Sequence, residues 1–525
     1  MVGLLSWLWL LPLAGALAVV LLPSRWAYLS RWATLVLTLV QLLLVVGWVL
    51  PAVGTGTLLG PTPATPMPVA FYETTPWLRL NLGSLGTLAA DYALGVDGAN
   101  GLLLLLHALL MPIAVGASWQ EGRRPRTYFA LLQLLNATVV GCFLAFDFLL
   151  FYLFFEVMLL PMFFLIGGWG GERRAYAALK FFLYTLLGSV AMLVVVVGLP
   201  FAQAGVHSTT YQALADPALR APGAFYATPY GQQVGFVLLL IGFAIKLPAV
   251  PLHTWLPDAH VEASTPISVL LAGVLLKAGG YGLVRVAYGF FPAAGQALGF
   301  WMALVGVVGI VYGSLVALAQ TDFKRLVAYS SVGHMGYVLL GAASGTALGL
   351  SGALYQLFAH GLVTAALFLL VGVVYDRVHS RQISAFGGLW QRLPRYTAVV
   401  ALAFFAGLAL PGTASFVAEL LVLMGAFGAT TDVPLWLAAL ALAGVVLAAV
   451  YFLWAFQRMF LGPWRVAGGA DWEARLTDLS PREHLLLWPL VGLILLFGLW
   501  PALGLGPITA WVAAFFEASQ TLLAP

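Results

Sequence analysis

Fourteen apolar runs, each about twenty residues long, follow one another along the 525 residues, and they fix most of what the chain can become. In hydrocarbon every backbone polar group has to find its partner inside the protein, so such runs read as spanning helices. They fall at 3–22, 28–50, 93–117, 127–146, 148–168, 174–203, 231–257, 265–288, 296–319, 325–345, 348–374, 396–428, 432–457 and 485–505. Only 8% of the residues are charged, against about 25% in soluble domains. The expected fold class is therefore all-α, a polytopic membrane protein with about 14 transmembrane helices. The stretch Met1–Leu22 has no Lys or Arg ahead of its apolar core, so it reads as the first spanning helix and not as a secretory signal.

The loop charges test that count. With loops assigned alternately to the two faces, one face receives 18 of the 23 Lys and Arg, from Arg25 to Arg482, including Lys180, Lys324 and Arg325. The other receives Arg79, Arg220 and Arg285, and the remaining two, Lys246 and Lys277, fall inside the membrane. Positive charge collects on the inside face, so both termini are expected outside. The net charge of +4 is small and scattered, which argues against nucleic acid. With a single cysteine, Cys142, an intramolecular disulfide and a cysteine-ligated iron–sulfur or zinc cluster are excluded. The outward loops 51–91 (with Pro51, Pro61, Pro63, Pro66 and Pro68) and 204–230 lack the period of a folded domain and read as surface caps.

Two spans carry breakers. One contains Pro248 and Pro251 directly after Lys246; the other contains Pro411 and Gly412, seven residues before Glu419. Proline removes an amide donor, and the freed backbone survives at membrane depth only where protein or water satisfies it. Interrupted helices at matching places in two halves signal an inverted repeat. The expected organisation is a three-helix segment (1–117), two five-helix units of opposite orientation (118–290 and 291–460), and an inside loop with the last transmembrane helix (461–525).

Glu156, Lys246, Lys277 and Glu419 sit inside these spans, and His334 and His360 lie in similar stretches. A charge at the bilayer centre costs roughly 2.5–3.5 kcal/mol on insertion scales, so the default reading is an ion or proton path. Two unit charges 4 Å apart at an effective dielectric of ~20 interact by about 4 kcal/mol. A change in the spacing of Glu156 and Lys246 would thus switch Lys246 between holding and releasing a proton. The histidines suit a hydrated relay because each ring both donates and accepts. Ser330, Ser331, Tyr329, Tyr337 and Thr364 are expected to order water along it. His253, Asp258 and His260 in HTWLPDAH invite a metal reading, but Pro257 breaks the helical spacing and only Glu262 adds a close carboxylate. They are expected instead to cap the broken helix and line the inside mouth. No phosphate loop, dinucleotide fingerprint or haem-ligating pair stands out, so the driving energy is expected from a partner.

Several long motifs resemble a known family. They are Lys246-LPAVPLHTWLPDA-His260, LLAGVLLKAGGYGLVR, DFKRLVAYSS with GHMGY, and LPGTASFVAE ending at Glu419. Together they are similar to the antiporter-like proton-pumping subunits of respiratory complex I, over almost the whole chain. FFEVMLLPMFFLIGGWGGERR at 154–174 resembles the M-type branch of bacterial NADH–quinone oxidoreductases, the counterpart of mitochondrial subunit four. The resemblance implies roles for Glu156 in the fifth helix, Lys246 in the seventh, Lys277 in the eighth, His334 and His360 as bridging histidines, and Glu419 at the end of the path. The sister chains L and N typically carry lysine at that last place.

The resemblance further implies proton uptake from inside and release outside, in an energy-transducing membrane such as the bacterial inner membrane. Partners would be other membrane-arm subunits, including chains L and N, together with lipids. No cofactor is expected in this chain; NADH, FMN, iron–sulfur clusters and quinone would belong to partner subunits. Alternatives are the equivalent subunit of a ferredoxin-driven photosynthetic complex, of a membrane-bound hydrogenase or of a multisubunit cation/proton antiporter, or a scaffold that no longer pumps.

Overall fold

The computed structural model describes residues 3–54 and 69–523. Pro61, Pro63, Pro66 and Pro68 of the first long loop lie outside the described residues. The helices are α1 (Leu4–Leu21), α2 (Leu29–Val53), α3 (Gly101–Ala117), α4 (Pro125–Leu144), α5 (Phe148–Trp169), α6 (Arg174–Gly198), α7a (Pro229–Lys246) and α7b (Trp255–Glu262). They continue as α8 (Thr265–Tyr288), α9 (Gly299–Leu318), α10 (Phe323–Ala343), α11 (Ala347–Val378), α12a (Pro394–Gly407), α12b (Ala414–Phe427), α13 (Leu435–Phe460), α14 (Pro481–Leu499) and α15 (Ala502–Leu523). Multiple helices are long and apolar enough to cross a membrane, so the chain is a multi-pass membrane protein.

Both broken helices are present where prolines interrupt them. The first break, between α7a and α7b, holds Pro248 and Pro251; the second, between α12a and α12b, holds Pro411. Gly412 turns the second break with φ +95°, a left-handed conformation that favours glycine. Helix α8 is wound irregularly as well. Residues Leu271–Leu275 and Leu283–Tyr288 form wide π turns on either side of a normal α segment, Leu276–Gly282. Helix α8 then presses against the first break: a Cβ on Gly279 would lie 2.7 Å from the Leu247 nitrogen and 2.9 Å from the Phe243 oxygen. Only glycine lets the two backbones approach this closely.

Two elements differ from the sequence expectation. The first long loop is partly a β-hairpin, β1 (Val69–Asn81) with antiparallel β2 (Thr87–Asp97), and a short parallel β3 (His207–Ser208) joins β2. Its second strand takes residues 93–97, which had read as the start of the third helix; that helix begins at Gly101. The hairpin also caps α1, because Glu73 Oε1 accepts from the Leu5 amide at 2.7 Å and Oε2 from the Ser6 amide at 3.2 Å. A carboxylate there meets the positive end of the helix dipole. The run expected over 485–505 stops as helix α14 at Leu499, and a further helix, α15, follows it where the sequence suggests little more than a tail. Helix α15 packs on the ends of α2, α3, α8 and α11 that share one face, with Trp511 against Arg285 and Gly504 against Tyr355 and Leu102.

Candidate functional site

Lys246 is the last residue of α7a, 2% exposed, beside the carbonyl end of its helix where a cation is favoured. Its Nζ donates to the Phe155 carbonyl at 3.0 Å and lies 3.4 Å from the centroid of the Phe155 ring. Phe155 and Glu156 stand on α5 just before its interruption at Met158. Among the described residues no ion pair joins Glu156 to Lys246, and Glu156 Oε1 makes no hydrogen bond within the chain.

The remaining groups are joined by two hydrogen-bond contacts and one ring contact. Lys277 is fully buried in the α segment between the two π turns of α8. Its Nζ is 2.7 Å from His360 Nδ1 on α11 and donates to the Ala272 carbonyl at 2.5 Å. The His360 and His334 rings lie 5.4 Å apart, centroid to centroid. His334 Nδ1, on α10, is 3.0 Å from Glu419 Oε1 on α12b. Lys277, His360, His334 and Glu419 thus form one buried line, and His360 Nε2 is free to donate or accept. Between Lys246 and Lys277 there is no such contact among the described residues; the two are linked through the backbone approach at Gly279 and the rings of Phe151, Phe243 and Tyr281.

The supporting residues divide. His253 is edge-on to Tyr312 and Tyr329, with centroids 5.2 and 6.2 Å away. Asp258 is held by Lys180 at 2.7 Å and by Arg325 at 3.5 Å. His260 stacks on Phe368 at 4.4 Å, with both ring nitrogens unpartnered. No three His, Cys, Asp or Glu gather into a metal-holding group among the described residues. Pro248, Pro251 and Pro411 shape the breaks. Ser330 and Ser331 both turn their hydroxyls onto the Val327 carbonyl, Thr364 donates back to the His360 carbonyl, and Tyr337 donates to Ala441 on α13. These hydroxyls keep only acceptor capacity for a water chain.

Sequence reasoning misplaced two cations and missed two neutral residues. Arg285 and Lys324, assigned to loops, are 7% and 4% exposed. Arg285 pairs with Asp97 and is caged by the rings of Phe146, Tyr281 and Trp511 at 4.6, 5.6 and 5.1 Å. Lys324 donates to the Ala263 carbonyl at 2.5 Å. Both lie near helix ends, where a loop and a buried turn look alike in sequence. Phe155 is indistinguishable in sequence from the other aromatics of FLLFYLFFEV. Gln356, one turn before His360, is fully buried with neither amide atom bonded; that i, i+4 spacing was the available signal.

Comparison with known proteins gives concordant results. The family described as "NADH:quinone oxidoreductase/Mrp antiporter, TM" matches residues 145–448, a range that holds every one of the buried groups from Glu156 to Glu419. The chain is 40% identical to "NADH-quinone oxidoreductase subunit M" of Rhodobacter capsulatus, over 100% of this chain and 99% of that one. It is also 40% identical to "NAD(P)H-quinone oxidoreductase chain 4 1" of Synechococcus sp. (strain JA-3-3Ab), over 95% and 90% of the two chains. Among solved structures, a chain of respiratory complex I from Thermus thermophilus with bound NADH superposes with a TM-score of 0.81 at 31% identity, covering 98% of this chain and 99% of that one.

Proposed function

Since the chain belongs to the NADH:quinone oxidoreductase/Mrp antiporter family, we propose that it is the proton-translocating M-type membrane subunit of a bacterial NADH–quinone oxidoreductase. The observation that carries this reading is the buried line Lys277–His360–His334–Glu419. Each member meets the next through a group that holds or passes a proton. Lys277 gives its proton to His360 Nδ1 across 2.7 Å; His360 releases from Nε2; His334 accepts and delivers through Nδ1 to Glu419. Glu419, at the second break, is the outlet group.

Lys246 loads from the inside face, where Lys180, Asp258 and Arg325 form a charged mouth. It passes its proton on toward Lys277 when its partners change. A carboxylate 4 Å away at an effective dielectric of ~20 holds an ammonium by about 4 kcal/mol, so closing or opening the Glu156–Lys246 gap is enough to load or discharge it. The two units, 118–290 and 291–460, each supply one broken helix with a charge beside the break, Lys246 and Glu419.

The chain itself performs no electron transfer in this reading. NADH, FMN, iron–sulfur clusters and quinone belong to partner subunits, and the L- and N-type chains are its neighbours in a bacterial inner membrane. The excess of positive charge on one set of loops supports both termini on the outer face. A second reading, the equivalent chain of a photosynthetic complex, draws on the 40% identity to the Synechococcus chain; the subunits that co-purify distinguish the two. The test of pumping is Lys246→Ala in the assembled complex in proteoliposomes. Protons moved per quinone reduced should fall sharply, and unchanged pumping with unchanged turnover would leave only a scaffold.

A further inference from the structure

The Lys246 ammonium is not partnered by the carboxylate next to it. One residue, Phe155, gives it both a ring face at 3.4 Å and a carbonyl oxygen at 3.0 Å. The ring is 2% exposed and held in place by Phe151 at 5.5 Å and, edge-on, by Phe243 at 5.8 Å, three residues before Lys246 on α7a. The titratable groups that face Lys246 are Cys142 from α4 and Glu156 from α5; α6 contributes Ser189 beside Glu156, and α8 contributes the backbone at Gly279.

We infer that Phe155 is a positioning residue that parks the protonated Lys246 on its ring face, so that the lysine alternates between an aromatic partner and the Glu156 carboxylate. This rests on the reading of Lys246 as a proton carrier. A desolvated ring face holds a cation strongly enough to move a protonation equilibrium by about one pH unit. A carboxylate at ion-pair distance moves it by roughly three. The ring is therefore the weaker of the two holds. It keeps the lysine loaded while Glu156 is unpaired, and leaves a difference of about two pH units for a small helix movement to work against. A purely apolar filler would occupy the same volume and offer no hold on the charge.

The test is the pH profile of NADH-driven proton uptake by the assembled complex in proteoliposomes, followed from neutral into alkaline pH. Phe155→Leu should move the alkaline limb down by about one pH unit. Phe155→Tyr, which keeps a ring of the same quadrupole, should bring the limb back toward wild type. Where Phe155→Leu fails to assemble, phenylalanines carrying increasing numbers of ring fluorines at 155 keep the shape while draining the ring face, and the limb should descend step by step. A Leu profile lying on wild type, a Tyr profile falling with Leu, or a flat fluorine series overturns the proposal. Lys246→Ala measured alongside separates the two failures. Loss of pumping there with no effect at Phe155 sinks the aromatic hold alone, and no loss at Lys246 sinks both.

Discussion

The two broken helices carry their charges in opposite conditions. At the first, Lys246 rests on an aromatic ring and its carboxylate neighbour Glu156 has an unbonded oxygen. At the second, Glu419 is already closed onto His334 at 3.0 Å, and the His360 ring, 5.4 Å from that of His334, meets Lys277. Chemically similar breaks in a bilayer therefore do not impose one arrangement. The neighbours on the packed helix decide it: α5 presents a phenylalanine to the first break, and α10 presents a histidine to the second. One half holds its cation apart from the neighbouring carboxylate, and the other has its carboxylate already in contact with an imidazole.

Glu419→Gln attacks the closed half and should have the largest effect. It keeps the shape and removes the charge that His334 serves, and proton translocation should fall at least about tenfold, since charge-assisted bonds of this kind contribute roughly 1.5–3 kcal/mol. If translocation survives while Lys246→Ala abolishes it, the two halves are not in series. Gly279→Ala attacks the junction instead. The added methyl meets Leu247 and Phe243 backbone under 3.0 Å, so thermal unfolding should reveal a loss of about 1–3 kcal/mol. Pumping should fail at the open half while the Lys277–His360 contact persists.

Gln356→Leu sharpens the closed half from within. Replacing a buried amide that has no internal partner should leave thermal stability level or slightly higher, yet slow pumping several-fold, about 1 kcal/mol, if that amide holds water beside His360. Equal pumping would mean His360 needs no hydrated neighbour.

The smallest effect concerns Asp147, which caps α5 and so seats Phe155 and Glu156. Its carboxyl accepts from the Leu150 and Asp91 amides and from Thr209 Oγ1 at 2.6 Å. Burial pushes this carboxyl above the usual carboxylate range, and the Thr209 hydroxyl pulls it part of the way back. A raised folded-state value means that protonation favours the fold. The contribution is complete below the unfolded value of about 3.9 and is lost as pH rises through the folded value. Asp147→Asn, itself a good cap, should flatten that slope in a pH series of melting temperatures by under about 1 kcal/mol.

Much of the site was legible because charge inside apolar runs is rare enough to be read one residue at a time. Lys277, His334, His360 and Glu419 were picked out that way and come together as a line. The breaks at Pro248, Pro251 and Pro411 were legible because proline has a fixed local consequence. Other features depend on tertiary partners. Residues 93–97 are apolar enough to join a helix, and only pairing with β1 makes them strand. Arg285 reads as a loop cation until Asp97 and Trp511 are brought to it from either end of the chain. Phe155 carries no mark in a sequence full of aromatics; its meaning comes from the ammonium above it.

The Arg285 cage has a consequence for biosynthesis. Its acidic partner precedes it by 188 residues, and its tryptophan lid is made in the last described helix. The cage around the guanidinium therefore cannot be complete until Trp511 has been made. Completion of this cage is thus a late event in the making of each chain, and an intermediate stalled before α15 would lack the third of its rings.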